Sequence, residues 1–529
     1  MPLPTDVASQ SLDMPRQTKQ YDMQFRWKSA ELKAIVAHPS RRILTTACLA
    51  IGLSGCVSVA NQPLNDLALS ATNAVPTLPE TSEGDGATMV GLAFSGGGTR
   101  AAAYSFGLLR ELEKTPLPDD SHGRTMIDAV RIVSGVSGGS VTAAYFGLKG
   151  KKGYGDFREK FLIRDAESNM RTKLGPANLI RAWRGGINDQ GTFGGWLDQN
   201  LFNGARYSEL TRPNGPRIWI NASDIYNRTP FIFGEETFAA LCSSLGDLPI
   251  AEAVAASAAV PVVFSPIVLK SFGTQCDYRP PGWLQTAIHN PEASTALQAF
   301  ATALESYQDV NRLKFVKLVD GGITDNHGVT ALALARAASQ TPYGPFTKRE
   351  AVRIKRLIYL VADAGTTPDA PWGSTAKGPG MTDLISAVTD TAIKNSVREG
   401  YDSFRFEMGR WQSDLVEFRC SLSRTEVRRL RGTLTDWNCR DVKFFVSRIG
   451  FDDVEPVLRS RLQLIETRLK LPVADVDDAI AGGRQALRND PIFQGALKSM
   501  RGIDTDNKQR MTPSLETTPV APTPMSATN

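Results

Sequence analysis

The sequence predicts an α/β fold on a mainly parallel central sheet, with a more helical region after residue 380. Three observations carry this. Short apolar runs alternate with amphipathic helical stretches from residue 88 to about 365. Glycine-marked turns follow three of the expected strands, at 95–101, 135–139 and 320–322. Of 529 residues, 42% are hydrophobic and 22% charged, which is ordinary globular composition and excludes a disordered or polytopic membrane chain.

The elements follow in order. Residues 88–94 read as a strand, 101–113 as a helix, 129–133 as a strand and 141–147 as the opening of the next helix. Arg-Ile-Trp-Ile-Asn at 217–221 has the β-branched and aromatic content of a strand. An alanine-rich helix over 250–259 must stop before Pro261. Strand 315–319 precedes helix 329–338, and Arg-Leu-Ile-Tyr-Leu-Val-Ala at 356–362 reads as a fully buried strand. Helix is expected over 383–408. The amphipathic stretch 454–469 is a candidate lid or membrane-docking segment, and 414–421 and 443–449 are expected as added strands.

The first sixty residues read as an address. Arg41-Arg42 precede an uncharged run that closes on Leu53-Ser54-Gly55-Cys56, the layout of a secretory signal. That ending resembles the lipobox of bacterial lipoproteins, whose cysteine becomes the first mature residue and carries lipid. The resemblance implies lipidation at Cys56 in the bacterial cell envelope and, with Val57 following, an outer-membrane location. Because 43–60 is free of charge, an uncleaved transmembrane anchor and a buried soluble segment remain alternatives. The expected plan is a signal over 1–55, a tether over 56–87, a main domain over 88–380, a mostly helical extension over 381–502 and a disordered tail over 503–529.

Cysteine usage agrees with export. Apart from Cys48 and Cys56, four cysteines fall into two local pairs. Short loops close most easily, so disulfides Cys242–Cys276 and Cys420–Cys439 are expected, against four buried thiols. The net charge of +5 gives no electrostatic case for nucleic-acid binding. The four histidines, His38, His122, His289 and His327, form no HExxH, and there is no CxxC, so no metal or other cofactor is implied.

The glycine turns carry the chemistry. Ser95-Gly96-Gly97-Gly98-Thr99-Arg100-Ala101 lies between a strand and a helix, where free N–H groups can hold an oxyanion or phosphate. Its spacing also fits the loose dinucleotide fingerprint, but the nearest acidic residues, Asp119 and Asp120, sit in a loop and not at a strand end. Gly135-Val136-Ser137-Gly138-Gly139 is a GxSxG in strand–turn–helix context, a turn that pushes a serine hydroxyl outward. Asp320-Gly321-Gly322 puts a carboxylate at a strand's end, with an Asx-turn as the plain structural alternative.

Together the three turns resemble the patatin-like phospholipase family, which has a glycine-rich oxyanion loop, a GxSxG serine and an Asp-Gly-Gly aspartate in this order. Ala256-Ser257-Ala258-Ala259-Val260-Pro261 resembles that family's segment between serine and aspartate. Ala101 and Asn326-His327-Gly328 depart from the family pattern. The resemblance spans about 88–365 and implies a three-layer sandwich with a catalytic domain over 88–380. It also implies a Ser137–Asp320 dyad, with Gly97, Gly98 and Gly138 as oxyanion donors and Gly96, Arg100, Gly135 and Gly139 in support. Arg100 would stabilise the loop or face a phosphate, against a solvated arginine. His327 is the one rival base. The implied function is hydrolysis of lipid acyl esters, with membrane lipids as substrate and no cofactor. A non-catalytic lipoprotein scaffold, acyl transfer by the same dyad and a dinucleotide-binding enzyme are the alternatives.

Overall fold

The computed structural model describes residues 61–70, 86–118, 120, 122–171, 176–183, 185–367, 371–374 and 376–502. The expected signal, Cys48, the expected lipidation site Cys56, His38 and the expected tail lie outside them. Every described residue belongs to the unit Val57–Asn529.

Five strands form the parallel heart of the sheet. β1 (Thr88–Phe94) pairs with β2 (Val130–Val136) and with β7 (Arg356–Ala362); β2 pairs with β3 (Arg217–Asp224), and β7 with β8 (Lys443–Ile449). Every residue of β2, and all but the first of β1 and β7, is buried. Burial at consecutive positions means that both faces are covered, as parallel sheets require. Each fully buried Val, Leu, Ile or Phe there contributes roughly 1.5–3 kcal/mol.

The remaining strands are antiparallel: β4 (Thr229–Phe233) and β6 (Phe315–Asp320) pair with β3, and β5 (Ile267–Lys270) pairs with β6. β4 occupies residues 220–224 on one side of β3. β2 therefore shares the other side with β6, β2 against 217–221 and β6 against 222–224. The C-terminal ends of β2 and β6 meet head to head there, so Ser137 and Asp320 come together although their strands run in opposite directions.

Five helices matter to the site. α1 (Gly98–Lys114) follows β1, α2 (Gly138–Gly153) follows β2, and α3 (Ile250–Ser257) precedes β5. α4 (Met381–Ser421) and α5 (Val473–Asn489) come from the C-terminal region. The strand expected over 414–421 is instead the end of α4. Phe404, Met408, Trp411 and Leu415 are all buried, and their spacing of four, three and four residues continues one helical stripe.

The region after 380 is built into the main domain. β8 extends the sheet, and α5 packs on α1 with almost no side chain between them. A Cβ at Gly483 would lie 2.0 Å from the Tyr104 carbonyl oxygen, and one at Gly107 would lie 2.2 Å from that of Ile480. Arg484 and Arg488 close the crossing on Glu111, at 3.2 and 2.9 Å. The amphipathic stretch expected at 454–469 is helical only over Pro456–Leu464; Ile465 and Leu471 beyond it are buried.

Residues 61–70 lie within the expected tether, yet they are fastened to the domain. Leu64 N–H donates to the Val268 carbonyl at 3.1 Å, and Asn65 bonds Lys270 through both side-chain atoms. The unpaired edge of β5 offers these backbone groups, which composition does not reveal. Cys242–Cys276 and Cys420–Cys439 are disulfides.

Candidate active site

Ser137 sits between β2 and α2 with φ 50° and ψ −122°, left-handed territory for a non-glycine residue. Such a conformation costs about 1–3 kcal/mol and persists only where its surroundings fix it. The flanking glycines make room for it. A Cβ on Gly138 would lie 1.9 Å from the Gly98 carbonyl oxygen, so the serine turn and the glycine loop touch backbone to backbone. Gly139 lies equally tight on β1, where an added Cβ would come 2.4 Å from Phe94 O, and Gly135 is pressed on Ser140. Asn221 ties the turn to β3, its Nδ2 donating to Ser134 Oγ at 2.8 Å and to the Gly135 carbonyl at 3.0 Å.

The glycine loop meets this turn from the other side. Gly97 and Gly98 have φ 139° and 60°. Gly96 N–H donates to the Asn326 carbonyl at 3.1 Å, whereas the N–H groups of Gly97, Gly98 and Gly138 find no acceptor among the described residues. Gly98 and Gly138 are the first residues of α1 and α2. Two helix N-termini, each with a partial positive charge, thus converge beside the serine hydroxyl.

Asp320 is buried, at 4% exposure. Burial pushes its carboxyl up to about 6, opposed by the hydrogen bond from the Gly322 N–H and by the neighbouring Ser137 hydroxyl. The Gly322 bond, to Oδ1, is 2.8 Å. A serine hydroxyl beside a buried carboxyl is an arrangement that can serve as a nucleophile with its base.

The other expected residues divide. Arg100 is buried; its Nε donates to the Ala364 carbonyl at 3.0 Å and its Nη1 to that of Ile465. Desolvation lowers it to about 10. It clamps backbone and does not face solvent, which corrects the solvated reading. Thr99 N–H donates to the Arg468 carbonyl at 2.8 Å, so residues 465–468 close over the start of α1.

His327 is buried and turned to Asp363, Nε2 to Oδ2 at 3.3 Å. Burial alone would raise Asp363, but His327, the Gly365 N–H and Arg448 hold its carboxyl well below the usual range. The rival base is thereby committed elsewhere. Asp120 is engaged by Arg124 in its loop, so the dinucleotide reading has no carboxylate at a strand end there. Asp119 lies outside the described residues.

Two residues that sequence reasoning gave no role complete the site. Asn326 holds Gly96 through its carbonyl, and its side chain fills the space beside Gly96 and Gly322. Ser257 takes the Ser137 N–H on its hydroxyl at 2.8 Å. The Ala256–Pro261 segment marks the neighbourhood of Ser257 in sequence, but neither residue's role shows there; both roles arise from contacts distant in sequence. Among the described residues, no group of three or more His, Cys, Asp or Glu is placed to hold a metal, and no helix is long and apolar enough to cross a membrane.

Residues 92–333 match the family model described as patatin-like phospholipase. Human GIVD cytosolic phospholipase A2 shares 13% identity with the chain, over 84% of this chain and 68% of that one, at TM-score 0.37. VipD from Legionella pneumophila shares 14%, over 83% and 71%, at TM-score 0.26. No curated protein matches the chain.

Proposed function

Because residues 92–333 match the patatin-like phospholipase family model, we propose that the chain is a serine acyl hydrolase acting on lipid acyl esters through Ser137 and Asp320. The observation that carries the reading is the head-to-head meeting of β2 and β6 along β3, which brings Ser137 beside the buried Asp320 carboxyl at the converging N-termini of α1 and α2.

Ser137 Oγ attacks the ester carbonyl carbon while its proton passes to Asp320. The carbonyl oxygen becomes an oxyanion held by the N–H groups of Gly97, Gly98 and Gly138. Such donors typically supply about 3–4 kcal/mol each. The C–O bond then breaks, the leaving alcohol takes the proton from Asp320, and an acyl-enzyme remains. Water, activated by the same carboxylate, attacks the acyl carbon and releases fatty acid and free Ser137. The whole cycle needs only these groups and water.

Exposed Leu384, Ile385 and Val388 support a substrate drawn from a lipid surface. They lie on the outer turns of α4, whose Ser396 bonds the Gly322 carbonyl at 3.1 Å. The reading extends to location: a chain exported through 1–55, lipidated at Cys56 and oxidised at two disulfides. Palmitate incorporation that is lost in Cys56→Ser tests the anchor.

Labelling by a fluorophosphonate probe tests the chemistry. Wild type is expected to label and to hydrolyse short acyl esters, Ser137→Ala to do neither, and Asp320→Asn to label at least about 100-fold more slowly. A folded wild type that neither labels nor hydrolyses would move the function to the scaffold alternative.

A further inference from the structure

The Ser137 N–H is buried, and a serine next to an oxyanion is expected to offer that group to the reaction. Here it is already used: it donates to Ser257 Oγ at 2.8 Å. The Ser257 hydroxyl in turn donates to the Asn221 carbonyl at 2.6 Å, which fixes the direction of the lone pair that receives Ser137. The Ser257 carbonyl also accepts the Gly321 N–H at 3.0 Å, and two residues further on the Ala259 carbonyl accepts the Asp320 N–H at 2.9 Å. Ser257 is the last residue of α3 and is fully buried.

We propose that Ser257 is a positioning residue that sets the nucleophile against its base, because its hydroxyl holds the backbone of Ser137 while its carbonyl holds the turn that carries Asp320. The inference rests on the hydrolase reading and adds a residue that touches neither substrate nor reacting atoms. Ser137 keeps its left-handed conformation only while its N–H has a directed acceptor. Without the Ser257 hydroxyl, rotation about the 136–137 peptide would swing Oγ away from Asp320 and let the freed N–H compete for the oxyanion. The donor set would then change from the two helix N-termini to a mixture. α3 also becomes a rigid spacer between the two halves of the site, since its C-terminal residue is bonded to both.

Ser257→Ala and Ser257→Thr in the full chain, compared with wild type, test this. Ala removes the acceptor at little cost in volume; Thr keeps the hydroxyl. The Ala variant is expected to melt within a few degrees of wild type and keep its KM. Its kcat and its rate of fluorophosphonate labelling should fall about 10- to 100-fold, the scale of a small misplacement at a reacting centre. The Thr variant should return to within about threefold of wild type. Hydrogen exchange at peptides covering 137–138 and 321 should quicken in the Ala variant, a readout independent of turnover. Wild-type kcat and labelling rate in the Ala variant would overturn the positioning role while leaving the hydrolase reading intact. A loss that tracks only the folded fraction, or a folded Thr variant as slow as Ala, would do the same. If wild type itself neither labels nor hydrolyses, both readings fail together.

Discussion

Ionising Asp320 at neutral pH is work that the fold must do, because burial raises its carboxyl from 3.8 to about 6. The native state holds this proton over a range in which the unfolded chain has lost it. Stability therefore falls as pH rises from about 4 to about 6 and stays lower above that. A shift of about two units corresponds to about 3 kcal/mol. Asp320→Asn should thus melt at a higher temperature than wild type at pH 8, with the gain gone by pH 4, while hydrolysis is lost throughout. A melting temperature at pH 8 no higher than that of wild type would refute this. In wild type, kcat/KM should rise with pH through a midpoint near 6, as the base ionises. Gly138→Ala forces a Cβ to 1.9 Å from the Gly98 carbonyl oxygen, so one backbone must retreat and the oxyanion donors separate. Fluorophosphonate labelling of that variant should slow by about 100- to 1,000-fold. Ser137 and Asp320 are legible in sequence because a strained turn and a crowded backbone demand glycines at fixed offsets. Asn326 and Ser257 are less so: one works largely through a carbonyl, which every residue has, and the other stands in the recognised Ala256–Pro261 segment but works through bonds to Ser137, Asn221 and Gly321 that form only once the chain has folded.

At the scale of elements, sequence periodicity finds β1 and β7 to the residue and misreads α4. Leu-Val-Glu-Phe at 415–418 has strand-like propensity, but its burial belongs to a stripe that starts at Phe404. The direction of β6 is likewise not written in its residues. It follows from the end-to-end meeting with β2 along β3. The α1–α5 crossing gives an element-scale prediction. Gly483→Val places side-chain carbon where the Tyr104 carbonyl already stands, 2.0 Å from the new Cβ. Neither helix can shift without disturbing the sheet. We expect that variant to lose 3 kcal/mol or more of stability, roughly the upper range of overpacking, and to lose labelling with it; urea titration measures the first. Opening Cys420–Cys439, a bridge with sequence separation 19, should cost about 3 kcal/mol in the same titration when both cysteines are replaced by serine.

For the whole molecule, the family-matched stretch 92–333 is not a self-sufficient body. β7, β8 and α5 lie outside it, yet β7 borders β1 and α5 covers α1. A chain ended at residue 380 would expose the outer edge of β7 and one face of α1. It should be recovered as insoluble or protease-sensitive material, whereas a chain ended at 502 should match full length in melting temperature and labelling rate. The clasp on α1 extends this point into time. Thr99 and Arg100 end on carbonyls at 468 and 465, synthesised more than three hundred residues after them. A ribosome delivers Ser137 and Asp320 long before those carbonyls exist, so the nascent polypeptide carries a nucleophile without a settled oxyanion helix. Under the proposed hydrolase function, ester cleavage is therefore expected to wait until residues 465–468 have been synthesised.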